Sequence, residues 1–288
     1  MWVSDECFLL TGPTNIGLVR TGEGQAVLID SGGDDSSGRR IRKALEAEGL
    51  TLQAIYNTHS HADHIGGNAF LQTRLGCRIY APDRETAFVR QPSLEIHMLY
   101  GSPAPDEFNH KIFVARESQA EPLSSASLPE GMQVIPLPGH SMDMVGFRTR
   151  EDIVFLADCL VSHETLSKYA ISYLWDLDRY KETLQQVCGM QARLFVPAHA
   201  APCTDIRPLA MENLRHVADT EEKILELCRE PATWETLLRG IFLSDGLHMT
   251  AAQHVLVGST LKGYLTSLVS RGAVRYFFED ARMLWERI

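Results

Sequence analysis

Hydrophobic and polar positions in the N-terminal part of the chain alternate between the period of a strand and the period of a helix. The turn sequence Thr-Gly-Glu-Gly at 21–24 separates two apolar runs and predicts a β-hairpin. Gly49 and Gly76 each follow a segment with helical spacing and predict where a helix ends. The predicted elements are strands at 15–20 and 26–30, a helix at 37–48, a strand at 52–58, a helix at 66–75 and a strand at 78–81. This order is typical of a layered α/β fold.

The pattern is less regular between residues 83 and 130. Prolines interrupt this stretch, and it contains the polar run Ser-Ser-Ala-Ser at 124–127. It therefore predicts an irregular insertion that serves as a lid or crossover. Regular patterns return afterwards. They predict strands at 133–137, 145–149, 153–157 and 193–197, and a helix at 179–188.

After about residue 205 the pattern becomes mainly helical. It predicts helices at 206–228, 233–239 and 250–271, and short strands at 274–279 and 283–288. Three helices followed by a hairpin is the order of a winged helix. We therefore predict an α/β domain over residues 1–205 and a small winged-helix-like domain over residues 206–288.

Composition narrows the class of protein. The chain has 288 residues, of which 44% are hydrophobic, so it can bury a full core. Its net charge of −10 disfavours non-specific binding to nucleic acids. The N-terminus lacks a basic and apolar leader, and no apolar run approaches ~18 residues, so neither a secretory signal nor a membrane span is expected. The six cysteines form no C-x-x-C pair, and we expect a cytoplasmic protein with reduced thiols.

The strongest chemical signal is the sequence Thr-His-Ser-His-Ala-Asp-His-Ile-Gly-Gly at 58–67. It directly follows a predicted strand and contains four potential metal ligands, which are His59, His61, Asp63 and His64. Imidazole and carboxylate groups suit Zn²⁺, and also Fe or Mn. A polar turn that is rich in histidine by chance is the alternative, but four ligands at this spacing argue strongly against it.

Three later residues occupy similar positions. His140, Asp158 and His199 each come just after a predicted strand. Any one of them alone would more often be structural. Together with the first cluster they complete a set of seven potential ligands, as a site built from distant strand ends requires.

With this set of residues, the sequence resembles the metallo-β-lactamase-fold hydrolases over roughly residues 10–205. The motif at 58–67 matches the family signature T-H-x-H-x-D-H-x-G-G without departure. The resemblance implies a four-layer αββα sandwich with the site at one edge. It also implies two divalent metal ions, Zn²⁺ in the first instance and Fe or Mn as alternatives. The implied ligands are His59, His61 and His140 for one metal, and Asp63, His64 and His199 for the other, with Asp158 bridging.

The resemblance also implies roles for individual residues. The family are hydrolases that use a metal-bridging hydroxide, so no protein nucleophile is expected. Asp63 is the expected catalytic residue, because it would orient the nucleophile and take its proton. Asp30 matches an early aspartate of the family, and we expect it to orient a metal-bound histidine, together with Thr58. A turn aspartate at the end of a strand is the alternative for Asp30. Cys159 is expected to be a buried thiol that points away from Asp158.

The C-terminal pattern narrows the resemblance to glyoxalase-II-like proteins and the subgroup that includes β-lactamase-like protein 2. In that subgroup a hydrolase domain carries a winged-helix appendage. Glyoxalase-II-type thioesterases and lactonases favour a small-molecule ester, thioester or lactone as the substrate. We therefore expect a dinuclear metal-dependent hydrolase of such a substrate.

A single-strand-specific endoribonuclease or phosphodiesterase is the main alternative, because the winged-helix subgroup makes it plausible. The acidic charge argues against it. The helix expected to recognise nucleic acid, at 259–271, is mostly apolar and has only Lys262 and Arg271 as basic residues. The tail is therefore expected to serve in packing, in forming a homodimer, or as a wall of the pocket.

An iron-dependent persulfide dioxygenase is the third hypothesis. Such an enzyme usually works with one iron, whereas all seven ligands of a two-metal site are present here. The oxygen-reducing diiron branch of the family typically has a glutamate where this chain has His61. Both observations favour hydrolysis over oxidation.

Overall fold

Two β-sheets form the centre of the fold, in a computed structural model that describes residues 1–108, 110–169 and 171–288. The first sheet has six strands in the order β1 to β6. Its first three strands are antiparallel, and β3 to β6 run parallel. The strands are β1 (Cys7–Leu10), β2 (Ile16–Gly22), β3 (Gln25–Ile29), β4 (Thr51–Tyr56), β5 (Arg78–Ala81) and β6 (Ala120–Pro122).

The second sheet has four strands in the order β10-β9-β8-β7. Strands β9 and β10 are parallel, whereas β8 pairs antiparallel with both β7 and β9. The strands are β7 (Gln133–Pro136), β8 (Val145–Arg148), β9 (Ile153–Val161) and β10 (Leu194–His199).

The described part of the chain contains ten α-helices, and several of them pack on the outer faces of the two sheets. The helices are α1 (Asp35–Ala47), α2 (Ala62–Ile65), α3 (Asn68–Leu75), α4 (Thr86–Arg90), α5 (Ser93–Tyr100), α6 (His163–Lys168), α7 (Leu177–Cys188), α8 (Arg207–Leu227), α9 (Trp234–Ser244) and α10 (Ala251–Ser270). Helix α1 buries Ile41 and Leu45 against the outer face of the first sheet. Helix α7 buries Leu184 and Val187 against the outer face of the second.

A separate hydrophobic cluster fills the space between the two sheets. Val27 and Tyr56 of the first sheet pack there with Phe147 and Phe155 of the second. Each sheet is therefore buried on both faces, with apolar side chains alternating between the inner and the outer cluster. This arrangement is the predicted four-layer αββα sandwich, which the structure confirms.

Two segments differ from the pattern expected from the sequence. Part of the predicted irregular stretch at 83–130 is regular, since it contains the short helices α4 and α5 and the edge strand β6. Strand β9 is also longer than predicted and continues through Asp158. Ala157 lies there at φ 50°, and the pairing with β10 shifts register at the same point. This bulge turns Asp158 toward the edge of the sheet without ending the strand.

The C-terminal residues have the predicted order of three helices and a hairpin. The strands β11 (Val274–Glu279) and β12 (Arg282–Arg287) are joined by Asp280 and Ala281, which both have positive φ. A two-residue turn of this kind suits the twist of a hairpin. Helices α8, α9 and α10 pack into the same hydrophobic cluster as β9 and β10. The domain boundary at 205/206 and the winged-helix description stay predictions. Within the described ranges, no helix is both long and apolar enough to cross a bilayer.

Gly66 is needed for the space that it leaves free rather than for its backbone conformation. A tight turn would favour glycine by its backbone angles, but Gly66 lies at φ −61° and ψ −27°, where any residue fits. The constraint is instead a neighbouring segment of the same chain. A Cβ atom on Gly66 would lie 2.2 Å from the carbonyl carbon of Gly33, and one on Gly67 would lie 2.4 Å from the carbonyl oxygen of Ser31. The glycines let the motif lie directly against the loop after β3.

We expect Gly66→Ala to destabilise the protein, because the obstructing atoms belong to backbone and cannot move aside. The expected loss is about 2 kcal/mol or more in the free energy of unfolding, measured by urea denaturation. Gly22→Ala is the matched control, since nothing lies within 4 Å of its added Cβ. Its expected change is below about 0.5 kcal/mol. Equal stability of the two variants would show that the close contact at Gly66 does not constrain the fold.

Candidate metal centre

The seven predicted ligands come from four chain segments that end at one edge of the two sheets. The loop after β4 carries His59 and His61 and continues into α2 with Asp63 and His64. The turn after β7 carries His140, the bulge of β9 carries Asp158, and the last residue of β10 is His199. The structure brings all seven together.

These side chains form two adjacent groups that could each hold a metal ion. Within each group the potential ligand atoms lie within 4.8 Å of one another. The groups are His59, His61, His140 and Asp158 on one side, and Asp63, His64 and His199 on the other. Asp158 contacts both, because its Oδ2 lies 3.4 Å from His140 Nε2 and 3.2 Å from His199 Nε2.

A buried carboxylate, that of Asp30, holds the first loop in place. Its Oδ1 accepts a hydrogen bond from the backbone N–H of Thr58, and its Oδ2 accepts one from the Thr58 hydroxyl, each at 2.8 Å. The same Oδ2 lies 2.8 Å from Nδ1 of His64. The Thr58 hydroxyl in turn lies 3.0 Å from Nδ1 of His59. Asp30 thereby orients His64 directly and His59 through Thr58.

The outer nitrogens of four rings all face acceptors. Nδ1 of His140 lies 3.1 Å from the carbonyl oxygen of Tyr173, and Nδ1 of His199 lies 2.7 Å from that of Pro13. Nδ1 of His64 faces Asp30 at 2.8 Å. Nε2 of His61 lies 3.0 Å from the carboxylate of Glu95. Because carbonyl and carboxylate oxygens only accept, each of these ring nitrogens carries the proton.

When these rings are neutral, their inner nitrogens present lone pairs toward one another. Nδ1 of His61 lies 3.0 Å from Nε2 of His59 and 2.9 Å from Nε2 of His140. Nε2 of His64 and Oδ1 of Asp158 are buried and lie 3.1 Å apart, without the geometry of a hydrogen bond to each other or to another group. Convergent imidazole and carboxylate lone pairs of this kind fit divalent cations.

The surroundings of the cluster shift the pKa values of its histidines in opposite directions. Burial and the charge of His61 lower the pKa of His140 to about 3, which keeps its ring neutral. Burial also lowers the pKa of His61, but the charge of Glu95 and its hydrogen bond outweigh this and raise the pKa to about 9. Burial raises the pKa of Asp158, whereas the charges of His199 and His64 act more strongly together and hold it well below its usual range. Asp158 is therefore ionised.

Two glutamates that the sequence did not single out support the first group. Glu85 accepts hydrogen bonds from the backbone N–H groups of Ser60 and Asp143 at 2.8 Å, and from the Ser141 hydroxyl at 2.6 Å. It thereby ties the loop of His59 and His61 to the turn of His140. Glu95, on α5, orients His61 from the other side. In the sequence, Glu95 stands out only as an acidic residue between the apolar residues Leu94 and Ile96.

A cavity of about 340 Å³ opens on the cluster. His61, Asp63, His140 and Asp158 form its floor, and most other lining residues are apolar. Three parts of the chain supply these walls, namely residues 95–99 with 112 and 113, residues 161–169 with 171–173, and residues 253–257 of α10. A largely apolar pocket with a few polar groups at one end is the usual form of a small-molecule site.

Tyr169 and Tyr173, which follow Asp158 in the sequence, both line this cavity. Burial raises the pKa of Tyr173 far above its ordinary value, so its hydroxyl stays protonated. His163 is exposed and pairs with Glu212 at 2.6 Å. Cys159 is fully buried, and burial raises its pKa, so it is an inert thiol as expected.

Comparison with known proteins identifies the family to which these residues belong. The sequence model described as Metallo-beta-lactamase superfamily matches residues 9–199. The match begins in β1 and ends at His199, so it includes all seven side chains of the cluster.

Curated relatives include a thioesterase and a hydroxyacylglutathione hydrolase. Atrochrysone carboxyl ACP thioesterase of Passalora fulva is 27% identical over 217 residues, which cover 74% of this chain and 56% of that protein. Hydroxyacylglutathione hydrolase of Thiobacillus denitrificans is 32% identical over 106 residues, which cover 36% of this chain and 31% of the relative. The chain thus spans little more than half the length of the first relative.

Solved structures show the same fold over the whole chain. A metallo-beta-lactamase family protein from Thermus thermophilus has a TM-score of 0.76 at 21% identity, with 100% of both chains covered. A beta-lactamase domain protein from Burkholderia ambifaria has a TM-score of 0.74 at 17% identity, with 100% of this chain and 93% of the other covered. The likeness therefore extends to the C-terminal helices.

We expect Glu95 to raise the affinity of the first group for metal, because it fixes the tautomer that leaves Nδ1 of His61 free to bind. Glu95→Ala should lower that affinity by about 10- to 100-fold, measured by competition with a chromophoric chelator. Glu95→Gln should recover part of the loss, since its amide oxygen still accepts from His61. The exposed Glu107→Gln is the control. Unchanged affinity in Glu95→Ala would contradict this role.

Proposed function

This chain belongs to the metallo-β-lactamase superfamily, and from that premise we propose that it is a dinuclear metal-dependent hydrolase of a small ester, thioester or lactone. One observation carries the proposal. Four of the seven convergent side chains, His61, Asp63, His140 and Asp158, line one end of an apolar cavity, so the candidate metal centre opens directly into a small-molecule pocket. Among the three substrate classes, the thioesterase relatives favour a thioester.

We propose that His59, His61 and His140 hold one metal, that Asp63, His64 and His199 hold the other, and that Asp158 bridges them. The contacts of Asp158 with both groups support this division. When bound, such metals lower the pKa of water from ~15.7 to about 7 and polarise the scissile carbonyl. Zn²⁺ suits the nitrogen and oxygen donors, as do Fe and Mn.

Asp63 is the proposed catalytic residue. Its side chain is 47% exposed, and it lines the cavity as well as the neighbouring groove that contains Arg40 and Lys111. Its Oδ2 lies 3.1 Å from Nε2 of His199, and the Thr14 hydroxyl donates to the same oxygen at 3.4 Å. This fixed carboxylate can orient the attacking water and accept its proton.

The cavity argues against the ribonuclease alternative. Among the residues that line it in the described part of the chain, none is lysine or arginine. A phosphate backbone draws its affinity mainly from such cations. The net charge of −10 acts in the same direction. The oxidative alternative is disfavoured because all seven ligands of a two-metal site are in place. A cytoplasmic location and a homodimer stay predictions.

The metal content tests the proposed ligand set. We expect wild-type protein to bind about two divalent ions per chain and His199→Ala to retain about one, measured by inductively coupled plasma mass spectrometry after gel filtration. Asp158→Ala should lose most of both, because it contacts both groups. His163→Ala, an exposed histidine outside the cluster, should keep the wild-type content. A wild-type content in His199→Ala would contradict the assignment.

The activity is tested with thioesters, lactones, aryl esters, a phosphodiester and a labelled single-stranded RNA. We expect turnover of a carbonyl substrate, and a loss of about 100-fold or more in kcat/KM in Asp63→Asn, because the variant cannot take the proton. Asp106→Asn, an exposed aspartate outside the cavity, is the control. RNA cleavage that Asp63→Asn abolishes, without carbonyl turnover, would overturn the proposal in favour of the nuclease.

A further inference from the structure

We infer that the apolar cavity is an acyl-binding pocket, and that the C-terminal helix α10 sets the length of the acyl group that the enzyme accepts. The inference rests on the proposed function and assigns a substrate class to it, which is an ester or thioester of a medium-length apolar acid. The lining of the cavity, its size, the packing of α10 and the position of Leu256 support this inference.

The lining separates two ends of the cavity. The metal-binding groups lie at the floor, together with Glu95. The walls above them are formed largely by the aliphatic and aromatic side chains of Ile96, Leu99, Phe113, Val161, Ile171, Leu256 and Val257. A carbonyl held at the floor would therefore place its acyl chain against apolar walls, where burial is favourable. A charged or sugar-like acyl group would find few polar partners there.

The size of the cavity indicates how long that chain is. A cavity of ~150 Å³ lined by apolar residues binds benzene. The cavity here measures about 340 Å³, roughly twice as much. It has room for an aliphatic or aromatic group of about eight to twelve carbon atoms. An acetyl group would fill little of the cavity and would leave most of the cavity's apolar walls in contact with water.

Helix α10 is built into this site by contacts on two sides. Val255 packs with Ile96 and Phe108 in a small buried cluster, which joins α10 to the helix that carries Glu95. Thr260 Oγ1 accepts a hydrogen bond from the backbone N–H of Leu174 at 3.1 Å. That bond lies next to Tyr173, whose carbonyl oxygen orients His140. The wall supplied by α10 is therefore fixed relative to the metal-binding residues.

Leu256 is the residue of α10 that is best placed to measure the acyl chain. It lines the cavity and is only partly buried. Its neighbours Val255 and Val257 belong to hydrophobic clusters of the fold, whereas the described clusters do not include Leu256. Its side chain is therefore available to a ligand, and substitution there should leave the core intact.

The test is a series of straight-chain acyl thioesters from acetyl to dodecanoyl, with metal-loaded wild-type protein. Each methylene that leaves water contributes a factor of about four, so the additional methylenes of octanoyl should raise kcat/KM over acetyl by about 1,000-fold or more. Leu256→Phe should lower kcat/KM for octanoyl by about tenfold or more and change that for acetyl by less than about twofold. Leu256→Ala should move the optimum to longer chains. Thr266→Leu, at an exposed position of the same helix, is the control.

A binding measurement separates this inference from the proposed hydrolysis. Calorimetric titration with octanoate should give an affinity that falls in Leu256→Phe by about tenfold, as for turnover. If no thioester is cleaved but octanoate still binds in this way, the proposed function is wrong and the apolar pocket stands. Turnover that is independent of chain length, or an equal effect of Leu256→Phe on acetyl and octanoyl substrates, would overturn the inference.

Discussion

The hydrogen bonds of the Asp30 carboxylate are the constraint on which the rest of the site depends. This residue is only 2% exposed, and its backbone lies at φ 61°, in the left-handed region that aspartate tolerates better than most residues. From there it holds Thr58 and His64, and through Thr58 it orients His59. Gly66 then lets the motif lie against the loop that follows Asp30. The approach of these two loops makes the convergence of the remaining ligands possible.

Residues around the cluster also hold its side chains in place. Glu85 and Glu95, both from the stretch that follows β5, hold the first group of candidate ligands from two sides. Helix α10 packs against that stretch through Val255 and against the segment that orients His140. Elements far apart in the sequence thus share the walls of one pocket. In our account the catalytic groups come from the sheet edge, and the selectivity comes from the helices around it.

The sequence was sufficient to predict the layered fold and the seven side chains that converge. These features have local signals, because each candidate ligand lies within a strand or shortly after one, and four of them fall within one motif. Glu95 and Leu256 have no such signal, since their importance arises from contacts with residues distant in the chain. The role of Gly66 and the bulge at Ala157 also depend on neighbouring segments. Periodicity shows which face of an element is buried, but it does not show what that face meets.

The most direct test of this account is an anomalous difference map from crystals of the metal-loaded protein. The account predicts two peaks about 3.5–4 Å apart at the edge of the sheets. One should lie among His59, His61 and His140, and the other should lie beside His64 and His199, with Asp158 between them. A single peak, or metal bound away from these residues, would contradict the two-metal site on which the proposed hydrolysis depends.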